Sequence, residues 1–381
     1  MAPWSAATPT TACNAPTWWR NWPASLSTPF PTTRIAKEPR VPESSSPSSF
    51  TPPLGATLLR LAIHYGLLLL LGLILVLFAV LEPAFLRVGN LFIILQSVSI
   101  VALLALGVTL TMAVGGLDLS IGAVAAMSLM CASYVMVVLG WGPLPAVAIS
   151  LACGALVGLL NGFLIVRLGV PDILATLGSM FLVIGLQLIP TGGRSIAVGM
   201  TLPSGDEAAG SFSAAFLALG RARLWDTVPV PVVVMLVVAL LVWAFLERTR
   251  FGRVFYAIGG NERAARLAGA PVERYKLLAY VLSASLASLG GLLLAARLGR
   301  GDVSSGNGLV LDALGAALIG FAVLGARKPN AFGTLVGALL VATLLNGLTM
   351  LNAPYYAQDF VKGAVLVLAL MFTFGLAQRA R

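Results

Sequence analysis

The sequence predicts an all-α, polytopic integral membrane protein of about ten transmembrane helices. Three features predict it: composition, a succession of apolar runs of bilayer length, and one basic island between two of them. The chain is 59% hydrophobic and only 10% charged, with a mean hydropathy of +0.96. A soluble domain carries about 25% charged residues. The net charge of +10 is not a nucleic-acid footprint if the basic residues cluster in loops on one side of a membrane.

Residues 1–55 differ in kind from the rest, being rich in Pro, Ser and Thr with Trp18, Trp19 and Trp22 as the bulky cluster. Such a segment buries too little surface to offset its ordering entropy and is expected to be disordered. It lacks the positive n-region and apolar core of a signal peptide. An over-extended reading frame, with translation starting near Val41 or Leu54, is one explanation. Residues 56–381 form the expected membrane domain.

From Leu61 the apolar runs cover about 61–81, 91–113, 120–139, 145–166, 172–190, 228–246, 277–296, 309–326, 331–351 and 360–377. Each compares with the ~20 residues that cross ~30 Å of hydrocarbon. After Gly301 the segments are short enough that one could be re-entrant. An even number of spans puts both termini on one side. With the N-terminus inside, the cytosolic connections after the first span hold twelve basic residues and the outer ones six. The bias predicts that both ends are cytosolic. The longest outer connection, 191–228, begins with the turn signal Gly192-Gly193 and is long enough to hold structure of its own.

The basic island, 247–276, contains Arg248, Arg250, Arg253, Arg263, Arg266, Arg274 and Lys276. Within it Gly259-Gly260-Asn261 reads as a turn, Glu262 to Ala268 as a short helix, and Gly269-Ala270-Pro271 as its stop. A short helix pinned under a membrane is built to be gripped from the cytosol.

The polar residues within the spans are few. Gly115, Gly116, Asp118 and Ser120 interrupt two apolar runs, where irregular backbone is tolerated only inside protein or beside a watery cavity. Asp118 and Ser120 are expected to cap the following helix, and Asp118 is the most membrane-embedded carboxylate, a functional candidate by default. Asn161, Gln187, Asp312 and Asn346 fit interhelical hydrogen bonding or solute contact. The glycines at 154, 158 and 162, and at 333 and 337, put small residues on one helix face and predict close packing, within the chain or between copies.

Several chemistries lack their residues. Cys13, Cys131 and Cys153 have no metal-ligand spacing, and the last two read as small buried thiols. His64 has no partner ligand nearby. None of the four lysines lies in a P-loop motif, so ATP hydrolysis by that route is excluded. No nucleophile–base pair or H-E-x-x-H supports an enzyme. An ion-driven carrier usually needs several buried carboxylates, and this chain has Asp118 with Asp312 at a helix edge.

GGLDLSIGAVAA (115–126), LNGFLIVRLGVPDILATLGSMFLVIGL (160–186) and the stretch 248–299 around RTRFGRVFYAIGGNERAARLAGAPVERYK resemble the membrane permease subunits of ribose-type ABC sugar importers. The resemblance spans about residues 60–377. It implies the ABC importer permease fold of ten helices and a second permease copy, as homodimer or heterodimer. It also implies two cytosolic ABC ATPase subunits that bind the ATP, a periplasmic sugar-binding protein, and residence in a bacterial inner membrane. No cofactor or metal is implied for this chain, and no nucleic acid. The island becomes the ATPase-coupling element, with Gly259, Gly260, Asn261, Glu262, Ala264, Ala265 and Gly269 in the contact. Gly269 is expected to permit a tight turn and close approach, and the alanines to keep the contacting face low. The polar residues above, with Phe321, would border the substrate pathway, and 191–228 would face the binding protein. One departure is Phe321 with Ala322-Val323 and Arg327-Lys328-Pro329-Asn330 where relatives carry glycines and Thr-Ser, which suggests a solute other than the usual pentose. A branched-chain amino-acid or nucleoside permease of the same architecture is the near alternative. An ion-coupled secondary transporter is the alternative from another class.

Overall fold

A computed structural model describes residues 54–202, 205–225, 227–306, 308–322 and 328–379. The expected disorder of 1–55 falls almost wholly outside these residues, as do Val323 and Arg327 of the departing stretch. The unit from residue 53 onward is a bundle of helices. In order they are α1 (Leu54–Leu81), α2 (Val88–Ala113), α3 (Ile121–Ser133, continued by a π-helical turn Tyr134–Val138), α4 (Pro143–Val166), α5 (Asp172–Leu188), α6 (Ala214–Arg221), α7 (Val230–Arg248), α8 (Arg250–Gly260), α9 (Glu262–Leu267), α10 (Val272–Leu298), α11 (Leu309–Ala322), α12 (Ala331–Met350) and α13 (Tyr355–Arg379).

A helix lies on each of the ten apolar runs. Among the described residues seven helices are long and apolar enough to cross a membrane, namely α2, α3 with its π turn, α4, α5, α7, α10 and α12. Gly66–Leu81 of α1 and Leu309–Phe321 of α11 are shorter apolar helices. The 191–228 connection carries α6, whose first turn is capped by Ser213 accepting from the Phe216 amide at 3.2 Å. Two short antiparallel strands follow, β1 (Arg223–Leu224) and β2 (Val228–Pro229). Gly192 and Gly193 both take positive φ, as their turn requires.

Local chemistry sets the boundaries. Proline opens α4 and α7, where a missing N–H costs nothing. Asn330 caps α12, accepting from the Gly333 amide at 2.6 Å. Gly299, at φ 67°, closes α10.

The centre of the bundle is α10, which packs against α2, α3, α4 and α6. Small residues make these contacts. A Cβ on Gly158 would stand 2.6 Å from the Tyr280 carbonyl oxygen, one on Gly154 2.6 Å from Ser288 Cβ, and one on Gly162 2.6 Å from Leu277 Cδ1. The glycine row of α4 is therefore filled by α10 of the same chain. The second pair, Gly333 and Gly337, meets the carbonyls of Gly320 and Ala316 on α11. Serines lace α10 to two neighbours, with Ser288 Oγ donating to the Ser150 carbonyl of α4 at 2.8 Å and Ser128 Oγ of α3 to the Ser288 carbonyl at 2.8 Å. Cys131 and Cys153 are only partly buried, less than expected of core thiols.

Gly158→Leu should lower the thermal midpoint of the detergent-solubilised protein, since overpacking a close seam costs about 1–3 kcal/mol. Gly178→Ala, with nothing within 4 Å of the added carbon, should leave that midpoint in place. A Gly158→Leu protein that melts like the parent would rule out this seam.

Candidate functional site

The end of the bundle that bears the basic island gathers two groups of the predicted residues. The first is the island itself. It is more helical than expected: Arg250–Gly260 forms α8, whose start is capped by Thr249 accepting from the Gly252 amide at 3.2 Å. Gly259-Gly260-Asn261 is thus not a free turn. Both glycines lie in the last turn of α8, and Asn261, at φ −159°, makes the break and caps α9 by accepting from the Ala264 amide at 3.0 Å. Gly259 is small for a contact reason, because a Cβ there would run into the Ala113 carbonyl and come 3.2 Å from the Gly115 amide nitrogen.

Charges on its own side fix α9 in place. Glu262 accepts from Lys276 Nζ at 2.7 Å and from Arg266 Nη2 at 3.2 Å, and Arg266 also reaches Glu273 at 3.7 Å. The hydrogen bond from Lys276 is the main influence holding the Glu262 carboxyl below its ordinary range, against a smaller desolvation effect. The two alanines differ. Ala264 is exposed, whereas Ala265 is buried toward the bundle, so only one of them keeps an outward face low. Beside Ala264 the side chain of Leu267 is 91% exposed. Gly269 has no atom of the chain near a would-be Cβ, and its φ of 85° is what demands glycine. This left-handed turn is the tight turn expected of it.

The second group lies immediately above. Residues 114–120 join α2 to α3, and Asp118 is fully buried. The expected helix cap takes another form: Ser120 occupies the N-cap position without a side-chain cap bond. Instead Asp118 Oδ1 accepts from the Ser120 amide at 2.9 Å and from its hydroxyl at 2.6 Å. Asp118 Oδ2 accepts from Ser283 Oγ of α10 at 2.8 Å. Asn161 of α4 donates Nδ2 to Ser120 Oγ at 2.9 Å. One carboxylate thereby ties the α2–α3 connection to α10 directly and, through Ser120, to α4. The absent side chain of Gly116 leaves room for Asp172 and the Tyr280 hydroxyl. Asn161 Oδ1 and the Tyr280 hydroxyl are buried with no hydrogen-bond partner among the described residues.

The remaining predicted residues stand apart. Asn346 exchanges hydrogen bonds with Asn90 at 2.9 and 3.0 Å, joining α12 to α2. Asp312 of α11 pairs with Lys362 of α13 at 3.1 Å. Gln187 lies at the far end of α5 with Oε1 unpartnered, and Phe321 is half-buried near the end of α11. Ser283, Tyr280, Asp172, Asn90 and Lys362 were not singled out in the sequence. A lone serine in an apolar helix carries little signal, but Lys362 was visible as a charge inside a predicted span.

A family model described as a branched-chain amino acid transport system permease component matches residues 90–370. The chain belongs to this permease family. The permease is 38% identical to the ribose import permease RbsC of Escherichia coli K12 over 291 residues, 76% of this chain and 87% of the relative. It is 35% identical to the ribose import permease RbsC of Bacillus subtilis over 301 residues, 79% of this chain and 89% of the relative. It is 31% identical to the xylose transport system permease XylH of Haemophilus influenzae over 355 aligned positions, 80% of this chain and 94% of the relative. No solved structure matches it. With its apolar helices, this makes the permease a multi-pass membrane protein.

Asp118→Ala should orphan the Ser120 amide and the Ser283 hydroxyl, at about 1–3 kcal/mol for each unsatisfied group. Asp118→Asn keeps one acceptor and should lose less in detergent thermal melts; equal losses would show that charge, not acceptor geometry, matters there. At Glu262 the folded pKa is depressed, so its stabilising contribution is complete above the ordinary value of 4.5 and fades as pH falls through the lower folded value. The protection factors of the α9 amides, taken relative to the intrinsic exchange rate at each pH, should therefore fall on acidification below pH 4.5. In Glu262→Gln this acid-linked fall should shrink.

Proposed function

We propose that this permease is the membrane-spanning subunit of an ATP-driven importer for a monosaccharide or related polyol. The solute class is supported by relatives named for ribose and for xylose. The observation that carries the mechanism is the construction of the basic end. There α9 is held from within by Glu262, Lys276 and Arg266, presents Ala264 and Leu267 outward, and joins α8, which is seated by Gly259 on the α2–α3 connection.

In this reading the ten apolar helices all cross the membrane, both termini face the cytosol of a bacterial inner membrane, and 247–276 is the cytosolic coupling loop. Partner ABC ATPase subunits bind and hydrolyse the ATP, so this chain needs no cofactor and performs no catalysis. A periplasmic binding protein delivers solute to the 191–228 face, and two permease copies, identical or closely related, enclose the path. Closure of the ATPases moves α9, and the copies rock so that the central cavity changes the side to which it opens. Within the chain, the path is assigned to the neighbourhood of Gly115, Gly116, Asp118, Ser120 and Asn161. Gln187, Asp312, Phe321 and Asn346 lie away from that cluster, and Asn346 and Asp312 act there as interhelical ties.

The test is Gly269→Val. A β-branched side chain does not tolerate φ near 85°, so the turn after α9 must rearrange. In membrane vesicles holding the assembled transporter, ATP hydrolysis should continue while solute uptake falls about tenfold, the loss expected for roughly 1.4 kcal/mol of misplacement. Unchanged uptake, or uptake driven by an ion gradient without any ATPase, would overturn this reading.

A further inference from the structure

The island touches the rest of the bundle at a second place, which neither the coupling reading nor the pathway reading uses. Tyr256, half-buried at the side of α8, donates its hydroxyl to the Pro329 carbonyl at 2.8 Å. The Tyr256 hydroxyl also lies 3.2 Å from Glu247 Oε1 at the end of α7. Lys328 closes the cluster, with Nζ 2.9 Å from the Glu247 carboxylate and 4.7 Å from the centre of the Tyr256 ring. Burial, and secondly the charge of Glu247, push the Tyr256 phenol above its ordinary range, so it remains a donor. Lys328 and Pro329 belong to the stretch that departs from the pattern of the resembled permeases.

What lies beyond this clamp is short and continuous. Pro329 is followed by Asn330, which caps α12 through the Gly333 amide at 2.6 Å. Gly333 seats against the Gly320 carbonyl of α11. Thr334 shares a hydrogen bond with Thr109 of α2 at 2.7 Å. One turn further along α8, Gly259 rests on the Ala113 carbonyl and the α2–α3 connection. Tyr256 and Gly259 are three residues apart, within one turn of the same short helix. A displacement of α8 as a rigid body must therefore strain both contacts.

We propose that Tyr256, Glu247 and Lys328 are positioning residues which carry the movement of α8 to the start of α12, in parallel with the route through Gly259 to the α2–α3 connection. This rests on the reading of α9 as the ATPase-coupling helix. It adds that the motion divides at α8, so that two separate parts of the bundle respond to one push.

The experiment follows backbone hydrogen exchange in the complete transporter, with and without trapping by ATP and vanadate, so no solute need be known. In the parent, trapping should change exchange both at 114–120 and at 328–335. In Tyr256→Phe, which removes one oxygen, the response at 114–120 should persist while that at 328–335 shrinks about fivefold, the scale of one lost hydrogen bond. Lys328→Met should act in the same direction, and Lys328→Arg, which keeps charge and ring contact, should restore the parental response. A full response at 328–335 in both Tyr256→Phe and Lys328→Met would overturn the proposal. Should one variant fail to assemble, the other decides. No response at either segment in the parent would instead remove the coupling reading beneath it.

Discussion

In hydrocarbon an apolar helix gains little by covering another, because lipid tails already solvate it; association depends on tight packing and on hydrogen bonds that have no other partner. The approach of α4 to α10 meets both requirements at once. Glycines at 154, 158 and 162 let the helices come within backbone contact, and at that separation the short Ser288 side chain reaches the Ser150 carbonyl across the seam. The Asp118 cluster depends on the same spacing. Its Oδ2 reaches Ser283 on α10 and, through Ser120, its Oδ1 reaches Asn161 on α4.

That arrangement explains why a buried carboxylate is tolerated with no cation among its hydrogen-bond donors in the described residues. Three donors converge on Asp118, one of them a backbone amide, which replaces much of the lost hydration. The carboxylate also fixes an irregular connection whose near side is the seat of α8. The polar interior and the basic island are thus neighbours in space, although about 140 residues of sequence separate Asp118 from Gly259.

Much of the fold was legible because its strongest signals are one-dimensional. Apolar runs of bilayer length mark helices directly, and the glycine spacing marked a packing face. The partner of that face was not legible, since nothing in α4 alone says that α10 will fill it. The short helix α9 was visible from its flanking Asn261 and Gly269. The preceding α8 was missed although Phe251, Val254, Phe255 and Ile258 repeat at helical spacing; the density of arginines made the stretch look like a loop. Ser283, the partner of Asp118, carried no signal, because an isolated hydroxyl in an apolar helix has many roles. Asn90 and Asn346, 256 positions apart, can be paired only once α2 and α12 are seen side by side.

Ridges of large side chains lock a helix into the grooves of its neighbour, so sliding requires climbing from one notch to the next. The contact of α4 with α10 is of another kind. The low surface there belongs to α4, whose Gly154, Gly158 and Gly162 lie against Ser288, Ala284 and Leu277 of α10, while Gly290 and Gly291 bring α10 close to α2 and to the Ala125 carbonyl of α3. A smooth rod among smooth rails can shift along its axis by a fraction of a turn without unpacking, which is the geometry of shear rather than of a hinge. Such a seam leaves more of the resistance to displacement to the hydrogen bonds that cross it, that of Ser288 to the Ser150 carbonyl among them.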